Sequence, residues 1–219
     1  MSLALLFDLD GTLMDTLDLI VAAMNAAAAE VNVAPAFRSE ELRPMIGTPV
    51  QQQLDILRGI TGESADAFAD RYYANFTGLV DQSIRLFPGV RETFRVLAGW
   101  PIATMSTRRR EQARRMLRAA RLDPYFRAIV GGDEVARSKP NPDLPLHAAR
   151  VLGVRPVDCV VVGDSPVDIL AGRAAGMHTV AARYGYGDRN EIGKAKPEAT
   201  IGSFSALPRV LKRLGAPRG

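Results

Sequence analysis

Cysteine occurs once in the chain, at position 159, so an internal disulfide is excluded and a reducing, cytoplasmic setting is expected. Long apolar runs are missing too. None reaches the roughly 20 residues of a bilayer-spanning helix. The start carries no basic leader before an apolar core, so neither a membrane span nor a signal peptide is expected. Histidine is scarce: His147 and His178 each lack a second ligand at metal-binding spacing and read as structural. Cys159 opens an apolar stretch and reads as a small core residue rather than a nucleophile. No internal repeat or low-complexity tract is present, which removes solenoids and fibrous arrays from consideration.

What is present is ordinary for a globular chain. Of 219 residues, 47% are hydrophobic and 24% charged, enough apolar material for a sizeable core and too much for disorder. The net charge is +4, with 28 Lys and Arg against 24 Asp and Glu. Arginine is spread along several helices and no nucleic-acid module is visible, so no nucleic-acid partner is expected. A mild positive excess suits attraction of a small phosphorylated metabolite.

The first apolar run, residues 3–7, is short and continuous, as in a strand buried on both faces. Residues 16–32 read as a helix with Thr16 as N-cap, followed by helices over 39–43, 50–58 and 65–80. No strand signal appears between Asp15 and Leu86. Beyond the turn "FPGV", residues 87–90, helices and strands alternate. Strands are expected over 102–105, 128–130, 159–162 and 179–181, with a last short one at Ala199 and Ile201. Helices are expected over 90–98, 109–120, 144–152, 167–175 and 205–214. The alternation predicts an α/β fold: a Rossmann-like parallel sheet with helices on both faces, interrupted after its first strand by an inserted helical block. The expected division is a core of residues 1–14 and 87–219 and a helical unit of residues 15–86.

In parallel sheets, ligands collect beyond the carboxyl ends of the strands. There the sequence places Asp8 and Asp10 of "FDLDGT", Ser106 and Thr107, and Asp164 and Asp168 of "GDSPVD". Lys139 stands in the loop "SKPNPD". Four carboxylates at one rim repel unless a cation joins them, and a hard divalent ion with oxygen ligands is the natural partner. With Lys139 added, such a rim suits a phosphoryl group.

These four motifs, which follow the family's order along the chain and are spread over essentially all of it, resemble the haloacid dehalogenase superfamily in its phosphatase branch. The resemblance implies that Asp8 attacks phosphorus to form an aspartyl-phosphate and that Asp10 is the acid and base. Asp10 would need an environment that raises its pKa. It further implies Mg²⁺ held by the Asp8 and Asp164 side chains and the Asp10 backbone carbonyl, with Asp168 a ligand through water or an anchor behind the others. Ser106 and Thr107 would hold phosphoryl oxygens, beside Gly11, which lets the chain leave the strand sharply. Lys139 would stabilise transition-state charge. Relatives often carry Asn at the position of Thr107.

The helical block corresponds in the resemblance to a mobile cap, with Asp15 and Thr16 at its hinge. "RPMIG" resembles the cap loop that nears the active site, where Arg43 could meet a second anionic group on the substrate. The stretches "FDLDGTLMDT", "VGGDEVARSKPNPD" and "AARYGYGDRNE" look especially like phosphoglycolate phosphatases, which implies a 2-phosphoglycolate hydrolase, as a monomer or homodimer. A pyrophosphatase or a β-phosphoglucomutase-like phosphotransferase of the same superfamily is the alternative. Arg108, Arg109 and Arg110 open a helix and read as a solvated face, with Arg108 alone near enough to Thr107 to touch phosphate.

Overall fold

The structure is a computed structural model describing residues 3–215. The outermost ends of the expected core, residues 1–2 and 216–219, lie outside the described residues. The chain begins with strand β1 (Ala4–Phe7), then β2 (Met14–Asp15). Helices α1 (Leu17–Glu30), α2 (Ser39–Leu42), α3 (Val50–Arg58) and α4 (Gly62–Gln82) follow, and β3 (Arg85–Leu86) closes this block. The remainder alternates: α5 (Val90–Val96), β4 (Ile102–Thr104), α6 (Arg110–Ala119), α7 (Asp143–Leu152), β5 (Cys159–Gly163), α8 (Pro166–Ala174), β6 (His178–Ala182), α9 (Arg189–Lys194), β7 (Ala199–Ile201) and α10 (Leu207–Leu214).

The main sheet has five parallel strands in the order β4-β1-β5-β6-β7, the α/β architecture expected. Strand β1 has no polar face because both its faces are covered. Leu5 and Phe7 join Val160, Val162 and Val180 in one core. Ala4 and Leu6 join Ala103, Cys159 and Val161 in the other. Phe7 anchors the first of these among Phe94, Phe204 and Phe126, at ring-centroid distances of 5.4, 5.7 and 6.5 Å. The fully buried Cys159 belongs to the core, and burial pushes its thiol up to about 11, so it is inert at neutral pH.

Three expectations need correction. First, the block between β1 and β4 is not all helix. Strands β2 and β3 pair antiparallel, Met14 against Leu86 and Asp15 against Arg85, so the chain leaves the sheet and returns side by side. Two residues per strand are too few to show a period. Second, residues 128–130 form only an isolated bridge, Ala103 to Ala128. The Thr104 hydroxyl takes over at Val130, accepting its N–H at 2.6 Å and donating to its carbonyl at 2.8 Å, which displaces the ladder. Third, α9 was not expected. Its N-cap Asp188 accepts from the N–H groups of Asn190 and Glu191, and the spacing Asp188 to Glu191 was its signal. Among the described residues, no helix is long and apolar enough to cross a membrane.

Candidate active site

The registers fix the site. Phe7 pairs with both Thr104 and Val162, so the three strands end level. Asp8 leaves β1 where Asp164 leaves β5, and both are buried. Asp168 lies one turn into α8 and doubles as its local anchor: one carboxylate oxygen accepts from the Ser165 N–H at 3.0 Å, while the Ser165 hydroxyl accepts from the Val167 N–H. Carboxylate oxygens of Asp8, Asp164 and Asp168 lie within 4.8 Å of one another.

Lys139 comes from the loop before α7. Asn141 closes that loop, donating from its N–H at 3.1 Å and its side-chain amide at 3.0 Å to the Ser138 carbonyl. The ammonium then reaches inward, donating to Asp8 at 2.8 Å and to Asp168 at 2.5 Å, with only 3% of its side chain exposed. Burial works against its charge, but Asp168 and Asp8 outweigh burial and hold it protonated.

Gly11 turns the chain sharply after β1. It sits at φ +84°, and a Cβ there would lie 2.3 Å from an Asp164 oxygen. It lines neither of the cavities described below; its role is to let Asp164 approach the first loop. Asp164 is then held by the Thr12 hydroxyl at 2.9 Å and the Tyr186 N–H at 2.7 Å.

Asp10 is not part of that close-set group and has partners of its own. Its Oδ1 accepts from the Thr16 hydroxyl at 2.6 Å and from Arg108 Nη2 at 3.0 Å; its Oδ2 accepts from Arg108 Nε at 2.8 Å. Thr16 therefore does not cap α1 through its side chain. Tyr186 holds that helix start instead, its hydroxyl accepting from the N–H groups of Thr16 and Leu17 and donating to Asp15. Arg108, the exception expected within its run, turns inward: its side chain is 10% exposed. Burial pushes the Asp10 carboxyl up, but the Arg108 guanidinium and its hydrogen bonds outweigh burial and hold it below the usual range. The raised pKa expected for Asp10 is thus reversed in this arrangement, because Arg108, distant in sequence, folds onto it.

A cavity of about 680 Å³ opens over the carboxylates, lined among others by Asp8, Asp10, Arg43, Thr107, Lys139, Asp164, Asp168 and Tyr186. Arg43 is exposed at its rim, 5.7 Å from the centre of the Tyr186 ring. Thr107 reaches the wall. Ser106 does not; it is buried with its hydroxyl accepting the Arg108 N–H at 3.2 Å.

Three buried carboxylates facing one ammonium leave negative charge uncompensated. Burial first, then Asp168 and Asp164, push the Asp8 carboxyl well up against Lys139. Asp164 is raised to about 7 by burial and by Asp168, against its hydrogen bonds. This donor set, oxygen only and close-set, fits a hard divalent cation. Both carboxyls hold their protons more tightly in the folded chain than in the unfolded one. The stability each contributes is therefore full below its ordinary value of 3.8; that of Asp164 is lost as pH rises through about 7, and that of Asp8 as pH rises through its own raised value. Metal-free protein is expected to melt at falling temperature between about pH 5 and pH 8, and added divalent cation to reverse the loss. Calorimetry with and without EDTA measures this; a melting temperature that climbs over that window without metal would contradict it.

The profile of haloacid dehalogenase-like hydrolases matches residues 5–182. A phosphoglycolate phosphatase from Cupriavidus necator is 32% identical over 217 residues, covering 95% of this chain and 92% of its own. A crystal structure from Haemophilus somnus described as a predicted phosphoglycolate phosphatase superposes with a TM-score of 0.87 at 25% identity, covering 95% of this chain and 97% of its own. CbbY from Rhodobacter sphaeroides, solved in complex with phosphate, gives a TM-score of 0.83 at 26% identity, covering 94% and 96%.

Proposed function

The chain belongs to the haloacid dehalogenase-like hydrolases, and from that membership we propose that it is a Mg²⁺-dependent phosphatase of a small phosphate monoester, 2-phosphoglycolate being the favoured substrate. The observation that carries this reading is the convergence of Asp8, Asp164, Asp168 and Lys139 at one buried rim. Relatives named phosphoglycolate phosphatase favour the substrate.

In the proposed reaction Asp8 Oδ attacks phosphorus, displacing the ester oxygen and forming an aspartyl-phosphate. Asp10 delivers a proton to the departing oxygen and then takes one from the water that cleaves the intermediate. Asp8, Asp164 and Asp168, with the Asp10 backbone carbonyl, would hold Mg²⁺. When bound, it neutralises charge on the rim and on the phosphoryl oxygens. Lys139 keeps the Asp8 carboxylate in place and faces the same oxygens, while Thr107 closes the wall. Residues 15–86 are read as the cap, hinged at the β2–β3 pair, with 1–14 and 87–219 as the catalytic core. The cap loop around Arg43 and Gly47 forms the roof of the cavity and excludes water. The enzyme is assigned to the cytoplasm, as a monomer or homodimer acting on a soluble metabolite.

A phosphate-release panel with and without Mg²⁺ tests the reading. It should include 2-phosphoglycolate, pyrophosphate and glucose phosphates. Release fastest from 2-phosphoglycolate, and none with EDTA, is expected. Pyrophosphate as the best substrate, or interconversion of glucose phosphates without free phosphate, would replace this reading with one of its relatives'. Within the same panel, Asp10→Asn is expected to slow release by about 10² or more on esters with poor leaving groups; an unchanged rate there would remove Asp10 from proton transfer.

A further inference from the structure

Asp10 sits on the wall between two cavities. It lines the large one over the carboxylates and also a second, of about 280 Å³, between α4 and the loop after β4. A group that protonates the ester oxygen must stand between phosphorus and the leaving group. If the large cavity takes the phosphoryl group, the second is where the rest of the substrate begins.

The second cavity is chemically specific. Its wall includes Arg108, Tyr72, Thr107 and Gln53. Arg108 is buried there at full charge, its guanidinium carbon 3.9 Å from the centre of the Phe76 ring and its Nη1 donating to the Tyr72 hydroxyl at 3.3 Å. Burial works against that charge, but Asp10 and Tyr72 outweigh burial and hold it protonated. Its fork is filled by the Asp10 carboxylate, the planar anion that a guanidinium binds best. Among the described residues, Gln53 Oε1 is the buried side-chain polar atom without a partner. Its amide nitrogen donates to the Met45 and Thr48 carbonyls, which fixes the oxygen as the free end. That oxygen calls for a donor and not an anion; what fits this wall to a carboxylate is the buried, charged guanidinium whose fork already holds one.

Asp10 cannot serve the ester oxygen while Arg108 and Thr16 hold both its oxygens. A second carboxylate competing for the same fork would free it. We propose that Arg108 is the specificity-determining residue of this enzyme, selecting substrates whose leaving group carries a carboxylate: that carboxylate takes Asp10's place in the guanidinium fork and releases Asp10 toward the ester oxygen. This rests on the phosphatase reading above. It restricts the substrate class to phosphate esters of short 2-hydroxy acids, where one carbon separates carboxylate and ester oxygen, so that the fork and the freed Asp10 act on neighbouring groups of one leaving group. Because Arg108 also stacks on Phe76 and bonds Tyr72 of α4, the exchange takes place against the helical block as well as the sheet.

Binding decides this without turnover. Calorimetric titration of Asp8→Asn protein with Mg²⁺ compares 2-phosphoglycolate with ethyl phosphate, which lacks only the carboxylate chemistry. The carboxylate ester is expected to bind at least about tenfold tighter, as for a charge-assisted pair. Adding Arg108→Met should collapse the ratio to within about threefold, and Arg108→Lys should leave it in between, since a point charge keeps attraction and loses the fork. Equal affinity for the two esters in the Asp8→Asn protein, or an undiminished ratio in Arg108→Lys, would overturn the proposal even if Arg108→Met does not fold. Phosphate release by the wild type without any carboxylate preference in binding would leave the phosphatase reading standing and remove Arg108's role. An Arg108-dependent preference with no release from any ester would do the reverse.

Discussion

Asp8→Asn is expected to lower phosphate release by more than about 10³-fold, because an amide cannot attack phosphorus and no neighbouring group can take over. Asp164 and Asp168 are the nearest carboxylates, and both are occupied, by Thr12 and Tyr186 in one case and by Ser165 and Lys139 in the other. The substitution should not unfold the protein. Asp8 is a buried carboxyl held well above its ordinary value, so its charge opposes folding at neutral pH. Metal-free Asp8→Asn protein should therefore melt at or above the wild-type temperature near pH 8. Loss of activity together with a lower melting temperature at that pH would point to a structural role instead. Residual turnover near the wild-type rate would end the nucleophile assignment.

Lys139→Met carries the second large effect, and it runs the other way in stability. The ammonium is the only cation bonded to Asp8 and Asp168 among the described residues. Methionine fills similar space but leaves three carboxyls crowded without a counter-charge. Removing one partner of a buried pair costs about 3–5 kcal/mol when the other stays ionised. Here the carboxyls can take up protons instead, so the loss should be small near pH 5 and approach that range near pH 8. Denaturant melts in EDTA at the two pH values measure it. Divalent cation should restore part of the stability. Turnover should stay depressed by about 10² or more at saturating metal, since the charge facing the phosphoryl oxygens is gone. Stability independent of pH in this variant would mean that Lys139 is not the counter-charge of the rim.

Much of this site could be read from the chain because each part is announced locally. A strand too apolar to have a wet face and then Asp8 can only be a strand end in a doubly covered sheet. Ser165 and Asp168 form a capping box that any reader of helix starts would find, and the box happens to aim Asp168 inward. Lys139 is legible only together with the other motifs, since a loop lysine by itself reads as exposed; the loop closed by Asn141 on Ser138 is what turns it inward. The parts that escaped are those set by distance in sequence. Arg108 lies 98 residues from Asp10; its place after Thr107 marks it out in the Arg108–Arg110 run, but points to phosphate and not to a pairing with Asp10. The aromatic wall of Tyr72 and Phe76 decides that, and it belongs to a different element. Tyr186 likewise governs the start of α1 from 170 residues away. Gly11 stands out in the sequence for its freedom of φ, but its necessity comes from Asp164, whose approach no local pattern predicts.

The central claim is that the Asp8 carboxylate itself carries the phosphoryl group between substrate and water. The direct measurement is a single-turnover reaction of excess enzyme with 2-phosphoglycolate and Mg²⁺, quenched in acid within milliseconds, digested, and read by mass spectrometry. A phosphoryl group on the peptide bearing Asp8, rising and then decaying as free phosphate appears, is the predicted result. Phosphate release at the full rate with that peptide unmodified throughout, or the group found on another side chain, would contradict it.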